Sequence, residues 1–139
     1  MTTTTSSPRV TPTADPAADR AFMLLRTVFT VAPIAFGLDK FANLLADWPV
    51  YLAPVFPDLL PGSAQQLMYV VGVVEIVAGI VVWLAPRYGG LLVAAWLSGI
   101  IINLLIVGDY YDVALRDFGL LVAAVALTLL ATSHRRTRR

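Results

Sequence analysis

The sequence contains no cysteine and a single histidine, His134. The missing cysteines exclude disulfide bonds, thiolate catalysis, CxxC redox chemistry and cysteine-ligated metals. A haem held by two histidines cannot be built from one histidine within this chain. A metal site would need several carboxylates at ligand spacing, and Asp109 with Asp112 is only a weak surface pair. We therefore predict no catalytic residue, no metal site and no covalently bound cofactor.

Charge is also in short supply. Only 14% of the residues are charged and 58% are hydrophobic, and the mean hydropathy is +0.77. A soluble domain carries about 25% charged residues, because its surface faces water. The low charge excludes an ordinary soluble enzyme, an acidic disordered chain and a nucleic-acid-binding protein with a basic face. The composition is that of an integral membrane protein in contact with membrane lipid.

Four long apolar runs are present instead, at about residues 22–45, 64–85, 89–107 and 113–132. As α-helices they would each extend roughly 28 to 35 Å, enough to cross a hydrocarbon core of about 30 Å. They lack the alternation of membrane β-strands. Pro33 lies inside the first run and is expected to kink it. The fold class predicted is all-α, a four-helix transmembrane bundle.

The transmembrane domain is expected to occupy residues 20–132. Before it, residues 1–19 are rich in threonine and proline and predict a disordered tail. After it, residues 133–139 predict a basic tail that binds anionic lipid rather than nucleic acid. The connection at 47–63 contains four prolines and several aromatic residues, and we expect it to lie in the membrane interface.

The distribution of basic residues predicts the topology. The three-residue connection at 86–88 makes the second and third helices antiparallel neighbours. Eight of the ten lysines and arginines lie on one side of the bundle: Arg9, Arg20, Arg26, Arg87, Arg135, Arg136, Arg138 and Arg139. The positive-inside rule then places both termini in the cytoplasm. We expect a multi-pass protein of the plasma (inner) membrane.

Polar residues at membrane depth are the candidates for function, because each is costly there unless it is paired or used. All of them fall in the half of the bundle remote from the termini: Asp39, Lys40, Glu75, Asn103, Arg116 and Asp117. A bundle that buries them must bring them together. Lys40 and Arg116 are the available cations for Glu75, and Asn103 is expected to donate to Glu75 or to a backbone carbonyl.

Glycines at helical spacing predict where the helices approach closely. Gly72 and Gly79 lie on the same helix face as Glu75, and Gly99 forms a similar strip with Asn103. Gly37 is the corresponding position in the first helix.

Three interpretations of the polar cluster stay open from the residues alone. A buried carboxylate between cations is often a structural latch that fixes the register of helices. The same groups suit a proton relay or transport site. They also suit a polar pocket in which Glu75 and Asn103 bind the head group of a quinone or another small amphiphile.

Three segments together resemble the DoxX-like family of small four-helix membrane proteins: residues 36–41 (FGLDKF), 73–79 (VVEIVAG) and 114–120 (ALRDFGL). The likeness covers about residues 20–132. Each motif is short and apolar, but their order and depths match. The resemblance implies that the recurrent positions of that family correspond to Gly37, Lys40, Glu75, Arg116 and Asp117.

The resemblance implies a range of functions, because the family is functionally mixed. Its name comes from a membrane subunit of a thiosulfate:quinone oxidoreductase. Other members are similar to partners of redox enzymes or to small respiratory subunits, and distant relatives to cargo receptors or assembly chaperones. Some redox relatives use cysteines, and their absence here argues against a thiol relay. We expect a non-catalytic accessory subunit of a membrane redox or respiratory complex. The alternatives are a quinone-binding subunit and a small carrier or proton conductor that uses Glu75.

Overall fold

The computed structural model describes residues 2–8 and 15–137, and in these ranges every regular element is helical. The expectations for residues 1, 9–14 and 138–139 lie outside the described residues. The helices are α1 (Pro16–Ala42), α2 (Val55–Leu59), α3 (Ala64–Leu84), α4 (Pro86–Val107) and α5 (Tyr111–Thr137). A short 3-10 helix, Trp48–Tyr51, precedes α2. The all-α prediction is confirmed.

Four of the helices, α1, α3, α4 and α5, are long and apolar enough to cross a membrane. Their outward faces carry many exposed leucine, valine, isoleucine and phenylalanine side chains, such as Leu24, Val73, Leu105 and Leu129. In water such a surface would promote aggregation, whereas it is the expected surface of a helix that contacts lipid. The chain is a multi-pass membrane protein with a lipid-facing exterior.

The helix ends differ from the predicted boundaries at capping residues. The Asp15 carboxylate accepts a 3.0 Å hydrogen bond from the backbone N–H of Ala17, and Pro16 occupies the first helical position. Both features favour a helix start, so residues 16–19 belong to α1 rather than to the predicted tail. α1 continues through Pro33 and ends at Ala42, because Asn43 adopts a left-handed conformation with φ of 52°.

Two further boundaries shift for similar reasons. α4 begins at Pro86, so residues 86–88 form its first turn rather than a connection, and Ala85 alone separates it from α3. Proline is well suited to that first position, because it has no N–H to leave unpaired. α5 extends through His134 to Thr137, five residues beyond the predicted end of the apolar run. The polar residues after the apolar run therefore continue the helix rather than end it.

The bundle is built from two closely packed helix pairs, α1 with α3 and α4 with α5. Its core contains aromatic residues from the start of α1 and mainly small or aliphatic residues elsewhere: Phe22, Phe29, Ala78, Val82, Val93, Leu97, Ala124, Leu127 and Ala131. Because alanine has a short side chain, helices packed through it approach closely.

The two ends of the bundle differ in chemistry. We name as the terminal end the one at which the start of α1, the Ala85 turn and the last turns of α5 meet around one cavity. The loop end is the opposite one, where residues 43–63 lie against the end of α1 and against α4. The polar candidates of the sequence lie at or toward the loop end.

Candidate functional site

A buried ion pair joins α1 to α3. The Nζ atom of Lys40, in the last turn of α1, lies 2.8 Å from Oε2 of Glu75, in the middle of α3. The two side chains are only 5% and 11% exposed. A lone charge at this depth would be strongly unfavourable, and a directly paired one is tolerated. The structure thus brings together two of the six candidate residues in direct contact.

Glycines allow this contact by letting the two backbones meet. A Cβ atom added at Gly37 would lie 2.5 Å from the carbonyl oxygen of Gly72, and one added at Gly72 would lie 2.6 Å from that of Gly37. The same hypothetical Cβ at Gly72 would be 3.2 Å from Cβ of Lys40. Only glycine fits at either position without moving a helix. Further along, Gly79 lies against the Thr30 carbonyl and Ile34.

The glycine strip predicted on α4 is not a packing surface within this chain. A Cβ added at Gly99 would have no neighbouring atom within 4 Å among the described residues. Gly99 and Gly72 have similar sequence surroundings, but the face of α4 that carries Gly99 is turned outward. Gly99 therefore has no packing contact among the described residues, and its role as a helix-packing glycine stays a prediction.

The connection after α1 covers the ion pair. The Trp48 ring lies over Lys40, with Nζ 3.8 Å from the ring centroid. The indole N–H of Trp48 donates a 2.7 Å hydrogen bond to Oδ2 of Asp39. Asp39 also accepts hydrogen bonds from the backbone N–H groups of Leu44 and Leu45, at 3.0 to 3.2 Å. Asp39 thus orders the connection, and Trp48 joins Asp39 and Lys40 in one assembly.

Asn103, in α4, also orders the connection after α1. Its Oδ1 accepts a 2.8 Å hydrogen bond from the N–H of Ala53, and its Nδ2 donates a 2.6 Å hydrogen bond to the carbonyl of Tyr51. Ala53 is fully buried. Of the two partners expected for Asn103, the structure shows the backbone carbonyl and not Glu75. The amide holds the connection against the bundle.

Asp117 and Arg116 are neighbours in α5 with different environments. Asp117 is buried and lies close enough to Lys40 and Glu75 to interact electrostatically with both. The Arg116 side chain is 67% exposed, and its Nε is 3.6 Å from Oδ1 of Asp117. Arg116 therefore lies outside the cluster as the counter-ion of Asp117, while Lys40 is the cation that contacts Glu75. Lys40 is also the one buried cation among the described residues.

Sequence reasoning missed Trp96, which lies near the middle of α4. Its buried indole Nε1 is close to the Glu75 carboxylate and has no hydrogen bond of good geometry to any described residue. The available signal was its position, because a tryptophan at the centre of a membrane helix carries an N–H that water cannot satisfy. Tryptophans of the membrane interface do not have this problem.

The cluster combines the buried ammonium of Lys40 with three buried carboxylates, one each from α1, α3 and α5: Asp39, Glu75 and Asp117. No group of three histidine or carboxylate side chains in the described ranges is arranged to hold a metal ion. Chemically the cluster can fix helix register through its ion pair.

Comparison of the chain with protein-family models, with curated proteins and with solved structures gives no match.

Proposed function

We propose that the protein is a non-catalytic accessory subunit of a larger membrane redox or respiratory complex in the plasma (inner) membrane. In this proposal the Lys40–Glu75 pair is a latch. Together with Trp48 and Asp39, which cover it, the pair holds the helices and the loop-end connection in register. The electron-transfer chemistry belongs to the partner subunits. Support comes from the pairing of the cluster, from the exposed apolar faces and from the resemblance of three segments to the DoxX-like family.

The topology proposed with it is an antiparallel bundle whose termini both lie in the cytoplasm. Gly37 packs on Gly72, while the earlier residues Thr30 and Ile34 pack on the later Gly79. That reversed order supports an antiparallel α1 and α3. The excess of arginines at the terminal end supports the cytoplasmic side for both termini.

The observation that carries the latch is the enclosure of the Lys40–Glu75 pair. Lys40 is held by Glu75 on one side and by the Trp48 ring on another, and Trp48 is itself held by Asp39. Asp39 is further occupied by two backbone N–H groups of the connection. Groups engaged in this way order the structure, because breaking any one leaves a buried charge or donor unpaired.

Positions of the resemblance meet at this latch. Gly37, Lys40 and Glu75 come from two motifs far apart in the chain and lie in contact or close to it, and Asp117 of the third motif lies nearby. These positions recur in a family whose activities differ. Their meeting at one packing interface therefore supports a structural role rather than a shared chemical one.

The direct test is purification of the tagged protein from its native membrane in mild detergent at native expression. Subunits that co-purify are identified by mass spectrometry, and their cofactors by the ultraviolet and visible spectrum. Stoichiometric oxidase, dehydrogenase or cytochrome subunits are expected. A protein that purifies alone, or one that by itself transfers electrons from a donor to a quinone, contradicts the proposal.

A second candidate, a small proton conductor or carrier, is favoured by the charge balance of the cluster. The described residues include three buried carboxylates but only one buried lysine, and the counter-ion of Asp117 is exposed. Negative charge at membrane depth is readily relieved by a bound proton. Reconstituted vesicles would then dissipate a pH gradient, and Glu75→Gln would abolish the flux. Vesicles that stay as tight as protein-free ones count against this candidate.

The quinone-binding alternative places a ring beside Glu75. Trp96 adds a buried N–H donor next to that carboxylate, suited to a carbonyl oxygen. The 680 Å³ cavity of the bundle lies at the terminal end and is lined by none of the cluster residues. Quinone retained by the purified protein and lost from Glu75→Gln would establish this alternative in place of the latch.

A further inference from the structure

A cavity of about 680 Å³ opens at the terminal end of the bundle, on the opposite side from the Lys40–Glu75 pair. It lies between the first turns of α1, the α3–α4 turn and the last turns of α5. Its polar lining comes from five residues: Asp19, Arg26, Arg87, His134 and Arg135. The size lies within the range of cavities that hold small organic ligands.

The cavity is electropositive. Arg26, Arg87 and Arg135 come from three different helices, and the one carboxylate among the lining residues is Asp19. That carboxylate is already engaged, since its Oδ1 lies 2.9 Å from Nε2 of His134. Three arginines around one space, with the single acid already in contact with His134, favour an anionic occupant.

Two of these arginines are held in place by the chain. Arg26 donates through Nε and Nη2 to the Trp83 carbonyl at the end of α3, and its guanidinium lies 4.5 Å from the Trp83 ring centroid. Arg87 donates from Nη2 to the Tyr88 hydroxyl at 2.5 Å and lies over that ring at 4.6 Å. A guanidinium positioned in advance loses less entropy when it binds, and its planar fork matches phosphate oxygens.

The remaining walls are apolar and continue onto the lipid-facing surface. Phe22 and Ala131 form the buried side, and Met23, Leu84 and Tyr88 are exposed on the flank. His134 stacks on Phe22, with ring centroids 4.8 Å apart. The cavity therefore offers cations at the level where a membrane helix leaves the hydrocarbon core, beside a surface for acyl chains. A free inorganic anion would contact only the arginines, whereas a phospholipid would also contact the apolar walls.

We propose that this cavity is a binding site for the phosphate head group of an anionic phospholipid, with Arg26, Arg87 and Arg135 as the phosphate-binding residues. Basic pockets between membrane helices bind anionic head groups in this way. The site is independent of the accessory-subunit proposal, because it uses the opposite end of the bundle and needs no redox partner.

The test is lipid binding to the purified full-length protein, measured by native mass spectrometry. The probes are phosphatidylglycerol and cardiolipin, with zwitterionic phosphatidylcholine as reference. Wild type is expected to retain the anionic lipids selectively. The double variant Arg87→Gln with Arg135→Gln is expected to bind them at least about tenfold more weakly, because two charge-assisted contacts are lost. The hydrogen bond of the Arg87 side chain is to Tyr88 of its own helix, and thermal unfolding of the variant verifies its fold.

The matched control for the single variant Arg87→Gln is Arg20→Gln, which removes one charge from an exposed arginine of α1 that does not line the cavity. It is expected to bind anionic lipid within about twofold of wild type. Equal losses in Arg20→Gln and in Arg87→Gln would show surface attraction only and overturn the site. Arg87→Lys, which keeps the charge, is expected to bind between wild type and Arg87→Gln. Inorganic phosphate that binds wild type as selectively, and displaces the lipid at similar concentration, would overturn the lipid assignment.

Discussion

The ammonium of Lys40 lies 2.8 Å from the carboxylate of Glu75, and the two residues are 35 positions apart in the sequence but buried together between α1 and α3. The pair is possible because Gly37 and Gly72 bring the two backbones into contact one turn away. Charge and close packing therefore depend on each other at this interface.

The first prediction concerns the two halves of this ion pair. Glu75→Ala leaves the Lys40 charge buried without its partner and is expected to destabilise the bundle by about 3 to 5 kcal/mol. Lys40→Met together with Glu75→Gln removes both charges with little change in volume and is expected to cost far less. Equilibrium unfolding in detergent micelles measures these losses, and wild type, Lys40→Met, Glu75→Gln and the double variant form a double-mutant cycle. Additive losses in the cycle would mean that the two groups do not interact.

The second prediction concerns the glycines of the α1–α3 contact. Gly72→Ala places a Cβ 2.6 Å from the Gly37 carbonyl oxygen and is expected to destabilise by about 1 to 3 kcal/mol, because the helices must separate. Gly99→Ala is the matched control, since its Cβ would meet nothing within 4 Å. It is expected to be neutral or to stabilise by up to about 1 kcal/mol through helix propensity. A similar effect of the two variants on unfolding would contradict the packing described here.

The third prediction concerns Asn103 as the anchor of the loop-end connection. Asn103→Ala leaves the N–H of Ala53 and the carbonyl of Tyr51 without their partners, at a cost of about 1 to 3 kcal/mol. Hydrogen exchange at residues 48–56 is expected to accelerate, with α3 and α5 unchanged. Ser98→Ala is the control, because the hydrogen bond of the Ser98 hydroxyl is to the Ala94 carbonyl of its own helix. Unchanged exchange in Asn103→Ala would contradict the anchor.

The fourth prediction separates the two contacts of Trp48. Trp48→Phe keeps an aromatic ring over Lys40 but loses the N–H that donates to Asp39, whereas Trp48→Leu loses both. Each contact contributes about 1 kcal/mol, so the leucine variant is expected to be the less stable one. Unfolding midpoints measured under one detergent condition give the order. Equal midpoints for the two variants would show that the cation–π contact of Lys40 with the Trp48 ring does not contribute to stability.

The membrane helices could be predicted from the sequence because their length and apolarity are set by the bilayer itself. Their ends could not, since they depend on local caps. Asp15 and Pro16 start α1 within a polar segment, and the left-handed Asn43 stops it. The apolar pattern predicts a connection at Pro86, whereas proline at the first helical position favours the helix start that the structure has there.

The cluster was predicted in outline for a similar reason. Depth along each helix follows from the number of residues, so the convergence of Lys40 and Glu75 could be expected. Residues 43–63 have no hydrophobic period that predicts their conformation. The partners of Asp39, and which backbone groups Asn103 binds, therefore could not be predicted. Which face of α4 turns outward depends on how the helices are rotated against one another, and this decides the different environments of Gly99 and Trp96.

The most direct measurement of the central proposal compares wild type with Lys40→Met/Glu75→Gln in native membranes. It records both the subunits that co-purify and the quinone-dependent electron transfer of the complex. If the pair is a latch, the double variant retains its partners and close to wild-type activity, because a neutral pair of similar volume keeps the helices packed. A double variant that is folded and fully assembled but has lost electron transfer would contradict the latch and assign the chemistry to Glu75.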